Sequence, residues 1–265
     1  MTPVVLITGA SSGIGAALAK VFSAHGHELA LVARRQDRLE ALADEIVARG
    51  RPRPAVLTAD LERRDAASAV AAALSSRGLE PAVVVNNAGF GLTGAAAGLS
   101  RDQQLAMVDV NVRALTEFSL MFVDSLARHR GGILNVASLA AFLPGPGMAV
   151  YYASKAYVLS FSEALHRELA DRGVRVTALC PGPVPTEFQA RAGLSLDPAA
   201  RVLELSAERV AQIGYDAFMA GKRVAIAGLG NRIAASLMHF VPNGLLLRLV
   251  DQRGRVAPAE NRAAR

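Results

Sequence analysis

Tryptophan is absent from the 265 residues, cysteine occurs once and lysine three times. Each scarcity removes a class of explanation. The one cysteine, Cys180, has no partner for an internal disulfide and suits a reducing cytoplasm. The formal net charge of +6 is almost wholly arginine spread along the chain. No basic run is interleaved with aromatics, so no nucleic-acid partner is expected. Long apolar runs are missing as well. Val4-Val5-Leu6-Ile7 is too short for a signal-peptide core and has no basic lead-in. The apolar C-terminal stretch is broken by His239, Pro242, Asn243 and Arg248. The expectation is a cytoplasmic protein without a transmembrane segment. His25, His27, His129, His166 and His239 are scattered without metal-ligand spacing, so no metal is expected.

What is present is alternation. Apolar residues make up 52% and charged residues 20%, which excludes a disordered chain and leaves a globular one. Short β-branched runs at Val4–Thr8, Glu28–Ala33, Ala55–Ala59, Ala82–Asn86, Gly132–Ala137, Val174–Cys180 and Arg223–Ala227 read as strands. Between them, Leu39, Leu42, Ala43 and Ile46 form one apolar helix face. Leu105, Val108, Val112 and Leu115 form another, and Val158, Phe161, Leu165 and Leu169 a third. Strands and helices alternating in this way imply right-handed crossovers and an α/β fold: a doubly wound, seven-stranded parallel sheet with helices on both faces. No linker or repeat is visible, so one domain is expected over residues 1–252, with a frayed Ala/Arg/Pro-rich tail at 253–265. Ala190–Ala207 lacks strand character and leaves the carboxyl end of the sixth strand. A lid over about 183–215 is the reading, an ordinary surface excursion the alternative.

Two motifs carry chemistry. Thr8-Gly9-Ala10-Ser11-Ser12-Gly13-Ile14-Gly15 lies between the first strand and a helix. Glycines there let the backbone turn and approach a pyrophosphate whose charge suits the helix N-terminus. The second strand ends in Arg34-Arg35 rather than in an acid, with Glu28 at the wrong end and Asp37 already in the next helix. A guanidinium suits a 2′-phosphate, so NADP(H) is expected over NAD(H). Further on, Tyr151 and Lys155 stand at i and i+4 and share one helix face, with Ser138 thirteen residues upstream and Asn111 before it. A phenol beside an ammonium has its anion favoured, so the Tyr151 pKa is expected to fall towards working pH. Such a group exchanges protons with a carbonyl or carbinol oxygen.

Taken with Asp60-Leu61, Asn86-Asn87-Ala88-Gly89 and Pro181-Gly182, these residues closely resemble the short-chain dehydrogenase/reductase family, in its order and spacings. The resemblance covers nearly the whole chain and is to the NADP-preferring bacterial type. It implies a Rossmann-type domain in which Asp60 and Leu61 contact the adenine, and Asn87, Ala88 and Gly89 flank the adenosine ribose. Val184 and Thr186 would hold the nicotinamide carboxamide. Tyr151 would be the general acid in reduction, and Lys155 would bond the nicotinamide ribose and lower the phenol's pKa. Ser138 would hydrogen-bond the substrate oxygen, and Asn111 would anchor a water that relays protons. A homodimer or homotetramer built through the helices holding Asn111 and Tyr151 is also implied.

The substrate is less legible. Leu139–Val150, between Ser138 and Tyr151, carries no charge, so a charged head group would find no partner there. With Phe90, Leu92 and Phe188 it suggests an apolar or aromatic ketone, aldehyde or secondary alcohol, including a 3-oxoacyl chain. Ile233, Leu237, Phe240 and Leu245–Leu247 could pack on a subunit or the core, or touch a membrane surface beside Arg232 and Arg248. Cys180 reads as an inert buried thiol. Rival functions are an NADP(H) sensor without catalysis and an epimerase or dehydratase. The first is opposed by the retained Tyr151, Lys155, Ser138 and Asn111, the second by the short chain.

Overall fold

The apolar runs of the sequence become the strands of one sheet. In the computed structural model, residues 1–193 and 203–238 are described, together with Val241, Gly244 and Leu247. Seven strands form the sheet: β1 Thr2–Thr8, β2 Leu29–Ala33, β3 Ala55–Thr58, β4 Leu79–Asn86, β5 Gly132–Val136, β6 Arg175–Cys180 and β7 Val224–Ile226. All neighbours run parallel, in the order β3-β2-β1-β4-β5-β6-β7. The order reverses between β1 and β4, the place where open α/β sheets bind ligands outside the carboxyl ends of their strands.

Side chains alternate across each strand, and the strands are covered on both faces. Val5 and Ile7 of β1 join Leu31, Val85 and Leu134 under α1 (Gly13–Ala24), α2 (Gln36–Ala48) and a later helix at Ala207–Met219. Val4 and Leu6 face the other way, with Val32, Val84 and Ile133. They pack against α3 (Ala66–Ser75), α5 (Leu115–Met121), α6 (Val123–Arg128) and α7 (Ala149–Glu168). Before α5 come α4 (Arg101–Val108) and a π-helical turn, Asp109–Ala114. The chain continues through α8 (Glu187–Ala192), α9 (Ala207–Met219) and α10 (Leu229–Met238). The lid expected over 183–215 thus contains α8 and the start of α9, while 194–202 within it and the tail at 253–265 lie outside the described residues. So do Phe240, Leu245, Leu246 and Arg248 of the C-terminal expectation.

Two expectations need correction. β1 and β4 begin earlier than their apolar runs, at Thr2 and Leu79, because Thr2, Pro3 and Val4 pair with Leu79, Glu80 and Pro81. Pro81 cannot donate to a ladder, and the register slips between Val4 and Val5, leaving Ala82 as the extra residue of a bulge. Second, the helix face Leu105-Val108-Val112-Leu115 is not the buried one. Leu105 is 55% and Val108 39% exposed, whereas Met107, Val110, Asn111, Ala114 and Phe118 point inwards with Leu115. Asn111 and Ala114 dilute the inner face, so the outer one is the more apolar to read.

A buried polar chain crosses between β4, β5 and two helices. Asn86 Nδ2 donates to Ser119 Oγ and to Asn135 Oδ1, both at 2.9 Å, and Asn135 Nδ2 donates to Ser162 Oγ at 2.9 Å. These bonds satisfy the Asn86 and Asn135 amide donors, which would be costly to bury unpaired, while Asn86 Oδ1 stays without a partner among the described residues. They hold the carboxyl end of β4 and the middle of α7 in one register, just behind the cleft.

Candidate active site

The first wall of the cleft is the turn from β1 into α1. Gly9 adopts φ +66°, the left-handed region, where a Cβ would also press on the Ala88 backbone. Gly15 has no room for a side chain because the Asn87 amide and the Gly9 carbonyl lie against its Cα. That crowding is built by hydrogen bonds. Asn87 Nδ2 donates to the Thr8 and Gly9 carbonyls, each at 3.0 Å, while Thr8 Oγ1 accepts from the Asn87 and Ala88 N–H groups at 3.1 Å. The end of β4 is thereby clamped to the glycine turn, and the free N–H groups at the start of α1 face a cleft of about 650 Å³.

Arg35, two residues past β2 at the N-cap of α2, lies over this turn. Its Nη2 donates to Ser11 Oγ at 3.0 Å and Ser12 Oγ at 2.9 Å, and its Nη1 pairs with Glu187 Oε2 at 2.7 Å. Arg34 points elsewhere, pairing with Glu62 at 2.9 Å. Glu187, held by Arg35, titrates below the ordinary carboxylate range. Thr186 sets its side chain over Gly13. Of the residues expected to hold a cofactor, Gly9, Ser11, Ser12, Gly13, Ile14, Arg34, Arg35, Asp60, Leu61, Asn87, Ala88, Gly89, Pro181, Gly182, Val184 and Thr186 all line the one cleft. Gly15 lies beneath its floor.

Beside the glycine turn stand the reacting groups. Tyr151 and Lys155 project from the first turns of α7, Ser138 follows β5, and all three line the cleft. The Tyr151 phenol is hydrogen-bonded to Ser138. Lys155 Nζ donates to the Val136 carbonyl at 2.8 Å and lies 5.9 Å from the centre of the Tyr151 ring. Asn111 is behind the wall, 1% exposed, in the π-helical turn. Its Nδ2 donates to the Phe90 carbonyl and to Ser154 Oγ, both at 3.0 Å, and its Oδ1 accepts from Phe90 N–H at 3.1 Å. π-turns recur at functional sites, and this one puts Asn111 within reach of Gly89, whose Cα also faces Lys155 Nζ.

The electrostatics differ from the expectation. Burial pushes the Tyr151 phenol up to about 12, and the Ser138 hydrogen bond pulls the other way without reversing it. Lys155 pays instead: burial lowers its ammonium to about 8. A Tyr/Lys pair at i, i+4 reveals proximity but not desolvation, and desolvation wins. Cys180 is fully buried at the end of β6, its thiol raised to about 12, consistent with an inert role.

Several contributing residues were not singled out from sequence. Ser154 accepts from Asn111 and donates to the Tyr151 carbonyl at 2.7 Å, tying the π-turn to α7. Glu187 and Glu62 carry no sequence signal, being single acids far from the arginines they meet. Gln189 and Arg191 of α8 line the cleft, so a polar amide and a cation lie within it besides the uncharged Leu139–Val150 loop. Of that loop's apolar residues, Leu139, Ala140 and Met148 line the cleft while Phe142 packs against the cluster of Leu115 and Val158; Leu92, outside the loop, packs with Met148 without lining the cleft. No cluster of three or more metal-ligating side chains occurs among the described residues.

The sequence profile described as short chain dehydrogenase matches residues 3–196. The chain belongs to this family. This short-chain dehydrogenase is 40% identical over 191 residues to a sulfoacetaldehyde reductase of Chromohalobacter salexigens, covering 71% of the chain and 75% of that relative. Its fold matches a short-chain dehydrogenase from Sphingobium yanoikuyae solved in complex with NADPH, with a TM-score of 0.79 and 30% identity over 98% of each chain. It also matches the bulky-bulky ketone specific alcohol dehydrogenase of Comamonas testosteroni, with a TM-score of 0.74 and 27% identity over 98% of this chain and 96% of the other. Like its relatives, this short-chain dehydrogenase is an oxidoreductase of the carbonyl/alcohol type. No helix among the described residues is long and apolar enough to cross a membrane.

Proposed function

We propose that this short-chain dehydrogenase is an NADP(H)-dependent reductase of ketones or aldehydes, reversible as a secondary-alcohol dehydrogenase. The observation that carries the proposal is the meeting, in one cleft, of the Arg35 fork over Ser11 and Ser12 with Tyr151, Ser138 and Lys155. The residues fit a phosphorylated dinucleotide. The crowded glycine turn leaves backbone open to a pyrophosphate, and no acid stands at the end of β2 to take the ribose hydroxyls. The Arg35 donors now on Ser11, Ser12 and Glu187 are of the kind that bind a 2′-phosphate. The bound nicotinamide would supply the hydride; the protein supplies orientation and charge.

Each side chain then has a task. Tyr151, protonated at neutral pH because its phenol titrates near 12, donates its proton to the carbonyl oxygen. Ser138 adds a second hydrogen bond to the charge growing there. Lys155, whose ammonium titrates near 8 and so stays largely charged at neutral pH, bonds the nicotinamide ribose. Asn111 holds a water from which Lys155 recovers protons. Asp60, Leu61, Asn87, Ala88 and Gly89 take the adenosine end, Val184 and Thr186 the carboxamide. Phe90, Met148, Tyr152 and Phe188 form an apolar wall, which supports a substrate with an apolar or aromatic body, a 3-oxoacyl chain included. The segment 183–215 acts as the lid, and copies of the chain associate through the outer faces of α4, α5 and α7.

The test is oxidation of NADPH and of NADH against aromatic, aliphatic and 3-oxoacyl carbonyl compounds, with Tyr151→Phe beside the wild type. NADPH-dependent turnover that falls about 10²–10⁴-fold in the variant is expected. Tight NADPH binding with no turnover of any compound would instead favour a cofactor sensor.

A further inference from the structure

The apolar wall accounts for one side of the cleft, and α8 makes another. Glu187 and Phe188 open α8, the first paired with Arg35 and the second 5.4 Å, ring to ring, from Tyr151. Arg191 stands four and three residues further on and so continues the same helix face. It lines the cleft, and its guanidinium has no carboxylate partner among the described residues, because Glu187 is already engaged by Arg35. Two residues before it, and so on a different face of α8, Gln189 also lines the cleft, and its Nε2 is buried without an acceptor among the described residues. A second orphan lies on this side: Thr93 Oγ1 is buried without a partner, on the loop whose Thr93 N–H donates to the Ala192 carbonyl at 3.1 Å. Native proteins rarely leave such groups unmade, since an unpaired buried donor carries its full desolvation penalty. A fork-shaped cation without a carboxylate and an unfilled amide donor, both lining one cleft, offer the donors that an oxygen-rich anion takes up.

We propose that Arg191, with Gln189 lining the same cleft, binds an anionic end group of the substrate, a carboxylate or sulfonate, while the carbonyl end lies at Ser138 and Tyr151. The inference rests on the reductase reading and narrows it to carbonyl compounds with an apolar body and a charged far end. It supplies from α8 the partner for a charged head group that the Leu139–Val150 loop does not offer.

The experiment uses straight-chain keto acids with two to five carbons between carbonyl and carboxylate, each beside its methyl ester. Turnover with NADPH is measured for the wild type, Arg191→Met, Arg191→Lys and Gln189→Leu. Binding to the enzyme–NADPH complex is followed separately by cofactor fluorescence. At the chain length that fits, the wild type should prefer acid to ester in kcat/KM. Arg191→Met should cut that preference about 10–100-fold, mainly through KM. Arg191→Lys should restore part of it, and Gln189→Leu should lose less than Arg191→Met. An acid-to-ester ratio that Arg191→Met leaves unchanged overturns the proposal, as does a variant whose only defect is a raised KM for NADPH. Acid that binds the wild type but not Arg191→Met, with no compound turned over, would sink the reductase reading and keep the anchor. Equal turnover of acid and ester would do the reverse, and failure of every acid to bind or react would overturn the anchor.

Discussion

Arg35 holds three oxygens of its own chain, those of Ser11, Ser12 and Glu187. A planar fork engaged in this way is poised to exchange partners rather than to move. Arg35→Ala should therefore raise KM for NADPH about 10–100-fold and shift the NADPH:NADH ratio of kcat/KM by a similar factor. Steady-state kinetics with both cofactors checks this. Equal losses with both would make the guanidinium a strut of the glycine turn instead of a reader of phosphate. At this scale the sequence was legible wherever a residue's meaning is local. Gly9, Tyr151 and Lys155 could be named from spacing alone. The direction of the Tyr151 pKa could not, because it depends on how much protein surrounds the phenol. Nor could Arg191 or Glu187 be foreseen, since their significance arises only when α8 folds back over the carboxyl ends of the strands.

Among the elements, α6 is fastened to β4 by one carboxylate. Glu80 accepts from Arg128 Nη2 at 2.6 Å and from His129 Nε2 at 2.8 Å, and Ser125 Oγ donates to the Pro81 carbonyl at 2.7 Å. The hydrogen bonds from Arg128 and then His129 hold Glu80 down to about 2, from an ordinary 4.5. A depressed carboxylate stabilises the folded state fully above its unfolded pKa, and the contribution is lost as pH falls through the folded one. Urea midpoints of wild type and Glu80→Gln should differ at pH 6, with the wild type more stable, and converge between pH 4.5 and 2. A pH-independent difference would show that Glu80 acts by shape and not by charge. Element positions were largely legible, because β-branched runs covered on both faces and 3.6-residue periodicity leave few alternatives. The bulge at Ala82 was not, since pairing of Thr2 with Leu79 depends on a partner strand that no local pattern reveals.

The whole molecule wears an apolar stripe on its outer surface. Leu105, Val108 and Leu120 (52% exposed) lie along α4 and α5, and Thr116 on the same side hydrogen-bonds Tyr157 of α7 at 2.9 Å between hydroxyl oxygens. An exposed run of this kind fits the proposed association between copies of the chain. The double variant Val108→Glu/Leu120→Glu should turn the expected dimer or tetramer into a monomer that still binds NADPH, as read by light scattering and cofactor fluorescence. A wild type that is itself monomeric would remove this interface. The stripe also makes the outer face of α4 the more apolar one in the sequence, so periodicity there points away from the core.

The parallel sheet gives the molecule a front and a back. β1 starts beside Met1 and runs the length of seven extended residues, about 20 Å, to Thr8, after which Gly9 lines the cleft. Whatever is joined ahead of Met1, whether an affinity tag, a surface for immobilisation or a fused partner enzyme, therefore leaves from the back. The cleft stays open to the solution, and a reactor bed of tethered protein would present its mouths outward.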